Sequence, residues 1–445
     1  MEKNTITKQI IRLAWPAIME MMMHTLVWTV DTAMVGRLTA AAISSVTLGA
    51  QIMFTLGGIF SALGIGTTAM VARYMGAGER DKAEYIGGQA LLVSIIIACI
   101  LGILGILGAK TIFTIIVDDR QVINLGTSYL RIVSIGLMFY IPLMVANAIL
   151  RGAGNTVIPL VSAIIANIFN IVGDYLLIFG KFGFPQLGVR GAAIATGSAQ
   201  ILGAMVTIFF LLRGKSAIKL RLDYLFKWDI KAIKNLVNLS VPAGLEMLMN
   251  DGCRLISSFW IVQLGTLAYA GHSLAVAAES ISFMPGQGFA IAATTLVGQS
   301  LGRQSIGDAE ESAVKSVIFA SILMGLVGLL FFAIPDFIMR LFSSDLGVVS
   351  IAASCLRVGA LEQIPIAVAM VTSGALKGAG DTRGPFKISL ITNLLVRMPL
   401  IYIIVFILRL HVAYIWGATA LQFLLEAVLM LRRYKKGRWK TSSLS

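Results

Sequence analysis

Apolar residues run along this chain in long unbroken blocks, not in the short alternations of half-buried soluble elements. Twelve blocks reach the length of a membrane-spanning helix, about 20 residues. Six lie near 13–36, 44–72, 86–108, 128–150, 157–179 and 191–212. Six more lie near 237–262, 270–298, 313–334, 350–376, 386–408 and 413–431. The pattern predicts an all-α polytopic membrane protein of twelve transmembrane helices. Only short connections and two short tails are left over, so no extramembrane domain fits. The polar start, Met1 to Gln9, leads directly into the first block without a cleavable signal.

Composition narrows the picture further. Of 445 residues 57% are hydrophobic and 13% charged, and the mean hydropathy is +0.86. The charged share is about half that of a soluble domain. A soluble fold has no interior large enough for this much apolar surface, which excludes a cytosolic enzyme, an extracellular scaffold or a disordered regulator. Cys99, Cys253 and Cys355 all sit in apolar runs and suggest neither disulfides nor a metal cluster.

A net charge of +14 raises the question of nucleic acid. With the N-terminus inside, about 25 Lys and Arg fall on cytoplasmic segments and about 7 outside, while Arg131, Arg254, Arg357 and Arg397 fall within spans. The largest basic clusters are Arg213 to Lys234 and Arg432 to Lys440. That asymmetry follows the positive-inside rule and places both termini in the cytoplasm, with the chain in the inner (plasma) membrane. The basic charge is then accounted for by orientation and anionic headgroups, and no nucleic-acid partner is expected. The segment 214–236 is the linker between halves; Tyr224, Leu225, Phe226 and Trp228 among its lysines predict a helix lying in the headgroup layer.

The two halves match at a constant offset of 226 residues. Pro16-Ala-Ile-Met-Glu20 aligns with Pro242-Ala-Gly-Leu-Glu246, and Tyr129-Leu-Arg-Ile with Cys355-Leu-Arg-Val. Leu150-Arg-Gly-Ala-Gly-Asn-Thr156 aligns with Leu376-Lys-Gly-Ala-Gly-Asp-Thr382, and Asn167 with Asn393. Each unit has six spans, an even number, so the halves are parallel repeats related by an axis along the membrane normal. Residues 1–213 form the expected N-lobe and 237–445 the C-lobe with a basic cytoplasmic tail. Two such lobes can rock about a central cavity, which is the mechanical basis of alternating access.

The motifs resemble a known family, the multidrug and toxic compound extrusion (MATE) transporters. Those that carry the likeness are the A-x-P-x-x-x-E opening from Ala14, Val30-Asp-Thr-Ala-Met-Val-Gly36, Val71-Ala-Arg-Tyr-Met-Gly-Ala-Gly-Glu79, the Leu150 loop, Met284-Pro-Gly-Gln-Gly-Phe289 and Thr295-Leu-Val-Gly-Gln-Ser-Leu-Gly302. The likeness covers essentially the whole chain in order. It implies two six-helix lobes forming a V-shaped cleft, and export of amphiphilic, often cationic, organic compounds in exchange for inward H⁺ or Na⁺. The DinF-like branch of that family holds its coupling cation in the N-lobe. The matching positions here are Asp31, Asn170, Asp174 and Thr196. The NorM-like branch adds an acidic pair in the C-lobe. Glu246 matches its first member, but Ile366 stands at the second, so that pair is incomplete; Glu362 lies one turn earlier.

The residues support a cation site independently. A carboxylate at the bilayer centre costs about 2.5–3.5 kcal/mol, so it is seldom there without a role. Asp31, Asn170, Asp174 and Thr196 should reach a similar depth in the outer half of one lobe. Two carboxylates with amide and hydroxyl oxygens suit Na⁺, a hard cation. They equally suit a proton shared by a pair of repelling carboxylates. The competing reading is that these groups merely bond helices together.

Other polar groups are open to two readings. Glu20 and Glu246 are either secondary coupling or substrate-binding residues or anchors for a proline-loosened backbone. Glu279 is a further candidate for secondary coupling or substrate binding, or could instead form an intramembrane pair with Arg397, as Asp251 could with Arg254. Asn147 and Gln51 are candidates to face the cleft. Pro16 is a candidate hinge in the helix that carries Asp31. Glu426, peripheral by order, is expected to be nearly silent when replaced by Gln. No Walker A lysine motif is present, so ATP is not expected to drive transport, and His24, His272 and His411 lack metal-type spacing. No enzymatic motif is visible. A monomer without cofactor is expected, with a lipid-precursor flippase of the same superfamily as the alternative.

Overall fold

The computed structural model describes residues 3–214 and 217–441, and every regular element among them is a helix. Lys215 and Ser216 of the expected linker lie outside the described residues. The first half contains α1 (Lys3–Val35), α2 (Ala40–Gly76), α3 (Arg80–Ile116), α4 (Arg120–Gly152), α5 (Val157–Phe179) and α6 (Val189–Arg213). The second contains α7 (Ile230–Val262), α8 (Thr266–Gly302), α9 (Ile306–Ala333), α10 (Leu346–Gly378), α11 (Arg383–Ile407) and α12 (Ala413–Lys435). Ten of these are long and apolar enough to cross a membrane. The other two, α7 and α8, are 33 and 37 residues long but more polar, α7 because it carries Glu246, Asp251 and Arg254. Leu107, Leu329 and Leu395 lie exposed on the outside of their helices, as a lipid-facing surface requires. The chain is a multi-pass membrane protein.

The repeat seen in the sequence recurs in the local chemistry. Asp119 caps α4, its Oδ1 accepting from Gln121 N at 2.7 Å and Val122 N at 3.4 Å. Asp345, 226 positions on, caps α10 from Gly347 N and Val348 N at 2.8 and 3.3 Å. Each cap satisfies helix-end donors that would otherwise be orphaned. Thr68 Oγ1 donates to Ala148 O at 3.1 Å, and its counterpart Thr294 donates to Gly374 O at 2.8 Å. Beside each threonine a glycine permits close backbone approach. A Cβ on Gly152 would lie 2.8 Å from Thr68 O, and one on Gly378 only 2.2 Å from Thr294 O.

Two helices of the second half depart from regular geometry at prolines. Pro365 has no N–H and its ring crowds the carbonyl four residues back; α10 tightens just before it, over Ala360–Glu362. Pro399 has the same effect on α11, which widens into i→i+5 turns at Asn393–Arg397 and Ile403–Ile407. In α1, by contrast, the helix runs unbroken through Pro16.

The chain forms two compact units. One comprises Met19–Met75 and Glu79–Ser240, the other Met1–Ile18, Gly76–Gly78 and Val241–Ser445. The divisions fall beside the equivalent prolines, Pro16 and Pro242, and not at the linker. The start of α1 therefore belongs with the second half: Ile6, Ile10, Leu13 and Ala14 pack with Leu296, Leu376 and Met430. The start of α7 belongs with the first half, where Leu236 O and the Ser240 side chain lie against Gly66.

Among its described residues the linker holds a short turn of tight helix, Leu222–Phe226, where a helix in the headgroup layer was expected. Polar groups of α3 fix it. Gln89 Nε2 donates to Tyr224 O and Lys227 O, Gln89 Oε1 accepts from Asp229 N at 3.2 Å, and Glu84 accepts from Lys219 N at 3.0 Å. A chain held through its own carbonyls and N–H groups has few left for intrahelical bonds. Trp228 remains exposed, and the side chain of Phe226 lies outside those described.

Candidate functional site

Three helices of the first half bring the expected cation residues together. Asp31 comes from α1, Asn170 and Asp174 from one face of α5 a single turn apart, and Thr196 from the start of α6. The carboxyls of Asp31 and Asp174 lie within hydrogen-bonding reach of each other. With its amide turned to satisfy its neighbours, Asn170 donates to both Asp31 oxygens at 3.1 and 3.2 Å and accepts from Thr196 N at 3.3 Å. Asn170 and Asp174 are buried, and Asp174 Oδ1 has no hydrogen-bond partner.

Two details differ from expectation. Thr196 joins the cluster through its backbone N–H, where its hydroxyl had been expected. The amide oxygen of Asn170 is engaged by that N–H, so it faces away from the carboxyls. In this arrangement the Asn170 amide oxygen is occupied by the Thr196 N–H. A proton needs only the carboxyl pair.

Tyr129 of α4 was not among the expected residues. It is buried in electrostatic range of both Asp31 and Asp174. Its ring occupies the space left by Gly49 of α2, where a Cβ would come within 2.5 Å of a ring carbon. The sequence offered a faint signal: the repeat places Cys355 at the equivalent position, so the aromatic belongs to the half that carries both aspartates.

Glu20 and Glu246 share a second arrangement. Arg151 Nη2 reaches Glu20 Oε1 at 2.7 Å, and Lys377 Nζ reaches Glu246 Oε1 at 2.9 Å. Both acids are buried, Glu20 completely. Both bases come from the C-terminal end of the fourth helix of the same repeat, 131 residues after the acid. Each acid is thus already met by a cation of the chain, close to the proline of its helix.

The remaining candidate groups have other surroundings. Asn147 is buried inside the first unit, its Oδ1 accepting from Thr207 Oγ1 at 3.3 Å. Gln51 is exposed on α2. Neither Glu279–Arg397 nor Asp251–Arg254 closes to an ion pair among the described residues. Glu279 instead meets the carboxyl of Glu362 and, at 3.5 Å, Gln363 Nε2, because the tightened turn of α10 presents those two side chains to α8. Glu426 is not peripheral: it is buried, with Thr392 and Gln422 donating to its Oε2.

Comparison with known proteins places this geometry. The MatE family model matches residues 16–176 and 242–403, one match in each repeat. A Probable multidrug resistance protein NorM of Thermotoga maritima is 29% identical, over 99% of this chain and 94% of its own. Multidrug resistance protein MdtK of Pectobacterium atrosepticum is 25% identical, over 97% and 95%. Among solved structures, a MOP superfamily transporter from Pyrococcus furiosus superposes with a TM-score of 0.90 at 20% identity, covering 98% of this chain and 97% of that one. A MATE structure in the bent conformation also gives 0.90 at 20% identity, covering 100% of both chains. With its fold and both repeats matched, the chain belongs to the MatE family of transporters.

Proposed function

We propose that this protein is a secondary active multidrug efflux antiporter, exporting amphiphilic and often cationic organic compounds by alternating access, driven by inward H⁺ held at Asp31 and Asp174. The observation that carries the reading is a half-buried and a buried carboxyl, Asp31 and Asp174, in mutual contact, with an amide donating to one of them and no basic side chain among the described residues paired to either. Such a pair is costly when doubly ionised and far less so with one proton between its members. It titrates as a unit. The names of the bacterial relatives support multidrug compounds as the cargo. In this reading both termini are cytoplasmic, the chain lies in the inner membrane, no ATP is used and the protein acts as a monomer. Glu20 and Glu246, each neutralised by a tethered base, anchor helix entrances and are not the primary proton carriers, while Pro16 supplies the hinge in α1.

Protonation changes what Asp31 and Asp174 can do. A proton shared between them turns repulsion into a hydrogen bond and draws α1 toward α5; its loss forces them apart. Asp31→Asn and Asp174→Asn should each abolish efflux of a fluorescent cation from cells, with unchanged amounts of protein in the membrane. Normal pumping by either variant would sink the assignment of the coupling site.

A further inference from the structure

The second half contains a buried carboxyl that the reading above does not use. Glu426 on α12 is 7% exposed. Its Oε2 accepts from Thr392 Oγ1 at 3.3 Å on α11 and from Gln422 Nε2 one turn back on its own helix. The charged groups that face it are Glu246 of α7, Lys377 of α10 and Arg397 of α11. Lys377 is committed to Glu246 at 2.9 Å. No base among the described residues forms an ion pair with Glu426.

The surroundings have more acceptors than donors. Gln422 Oε1, Asn393 Oδ1 and Glu246 Oε2 are buried without any hydrogen-bond partner, and Gln422 and Asn393 are each only 1% exposed. These groups belong to one connected cluster. Asn250, one turn after Glu246, accepts from Ser389 Oγ and Asn393 Nδ2, both at 2.9 Å, and Thr392 next to Asn393 bonds Glu426. An ionised carboxylate is acceptor-only and deepens the shortage, whereas a protonated one supplies an O–H donor. The wide turn of α11 that begins at Asn393 adjoins the cluster, and such turns recur at functional sites.

We infer that Glu426 is a proton-binding site of the second half, holding H⁺ on its carboxyl beside the Glu246–Lys377 pair. Binding forms one O–H bond, with the proton drawn from water and no other bond changed. The neighbouring ammonium of Lys377 disfavours a metal ion in the same place, and the acceptors without donors favour a group that donates. This site is separate from Asp31 and Asp174, and its test does not depend on transport.

The test is infrared absorption of the full-length protein in lipid nanodiscs, recorded across pH in H₂O and D₂O. The carbonyl band of protonated carboxyls should contain a component that disappears on alkalinisation. That component should be missing from Glu426→Gln and kept in a variant carrying both Asp31→Asn and Asp174→Asn. A Glu426→Gln spectrum identical to wild type at every pH overturns the inference. Should that variant fail to fold, Thr392→Val retains the carboxyl but removes one donor to it. The component must then shift in frequency, and an unmoved band counts equally against the proposal. Suppression of the band by Na⁺ at fixed pH would show a metal ion competing for the carboxylate, and would also overturn the assignment to a proton.

Discussion

A carboxylate deprived of water must find a cation, a donor or a proton, and the acids of this protein divide along those lines. Glu20 and Glu246 have Arg151 and Lys377, whereas Asp31 and Asp174 have each other. Removing one partner of a buried ion pair strands the other charge and costs about 3–5 kcal/mol, while removing both costs much less. Glu20→Gln or Arg151→Met alone should therefore lower thermal stability strongly, and the double variant should recover most of the loss. Melting temperatures of the purified proteins check this; additive losses would mean that the two residues do not act as a pair. The sequence marked both acids through the repeat, and the same alignment contained both bases. What it lacked was the pairing, because residues 131 positions apart become neighbours only when the first and fourth helices pack. The surroundings of Glu426 are set by packing for the same reason. Its rank along the chain is last, but its neighbours are Thr392 and Gln422 in the interior.

At the scale of the helix, packing depends on positions where backbones touch. A side chain on Gly378 must displace the carbonyl of Thr294, which is itself fixed within α8. Overpacking of this kind costs about 1–3 kcal/mol, occasionally more. Gly378→Ala should lower the melting temperature markedly, and Gly152→Ala, at a looser contact, should lower it less. Gly307 faces open space in the first turn of α9. Gly307→Ala should be neutral or stabilising by up to about 1 kcal/mol, since alanine restricts the unfolded chain. Equal melting shifts for Gly378 and Gly307 would refute the close contact. Helix spans were legible in advance because a bilayer demands long apolar runs. The tight turn in α10 and the wide turns in α11 were not, since a proline announces a disturbance without saying which way the helix will yield.

For the whole molecule, the open question of energy source has a direct answer in vesicles. Purified protein in proteoliposomes should drive a fluorescent cation under a pH gradient alone and fail to do so under a sodium gradient alone. Transport under sodium alone would refute proton coupling at the carboxyl pair. The sequence by itself determined the membrane class, the helix count and the parallel repeat, because each of these follows from local composition or from a fixed offset, while Asp31 and Asp174 were marked by the resemblance to a family motif. Only the tertiary structure decided that the units divide at Pro16 and Pro242 and not at the linker, which base meets which acid, and that Asn147 and Glu426 face inward. Those outcomes depend on which helix faces lie against one another, and periodicity in a uniformly apolar helix leaves that choice undetermined.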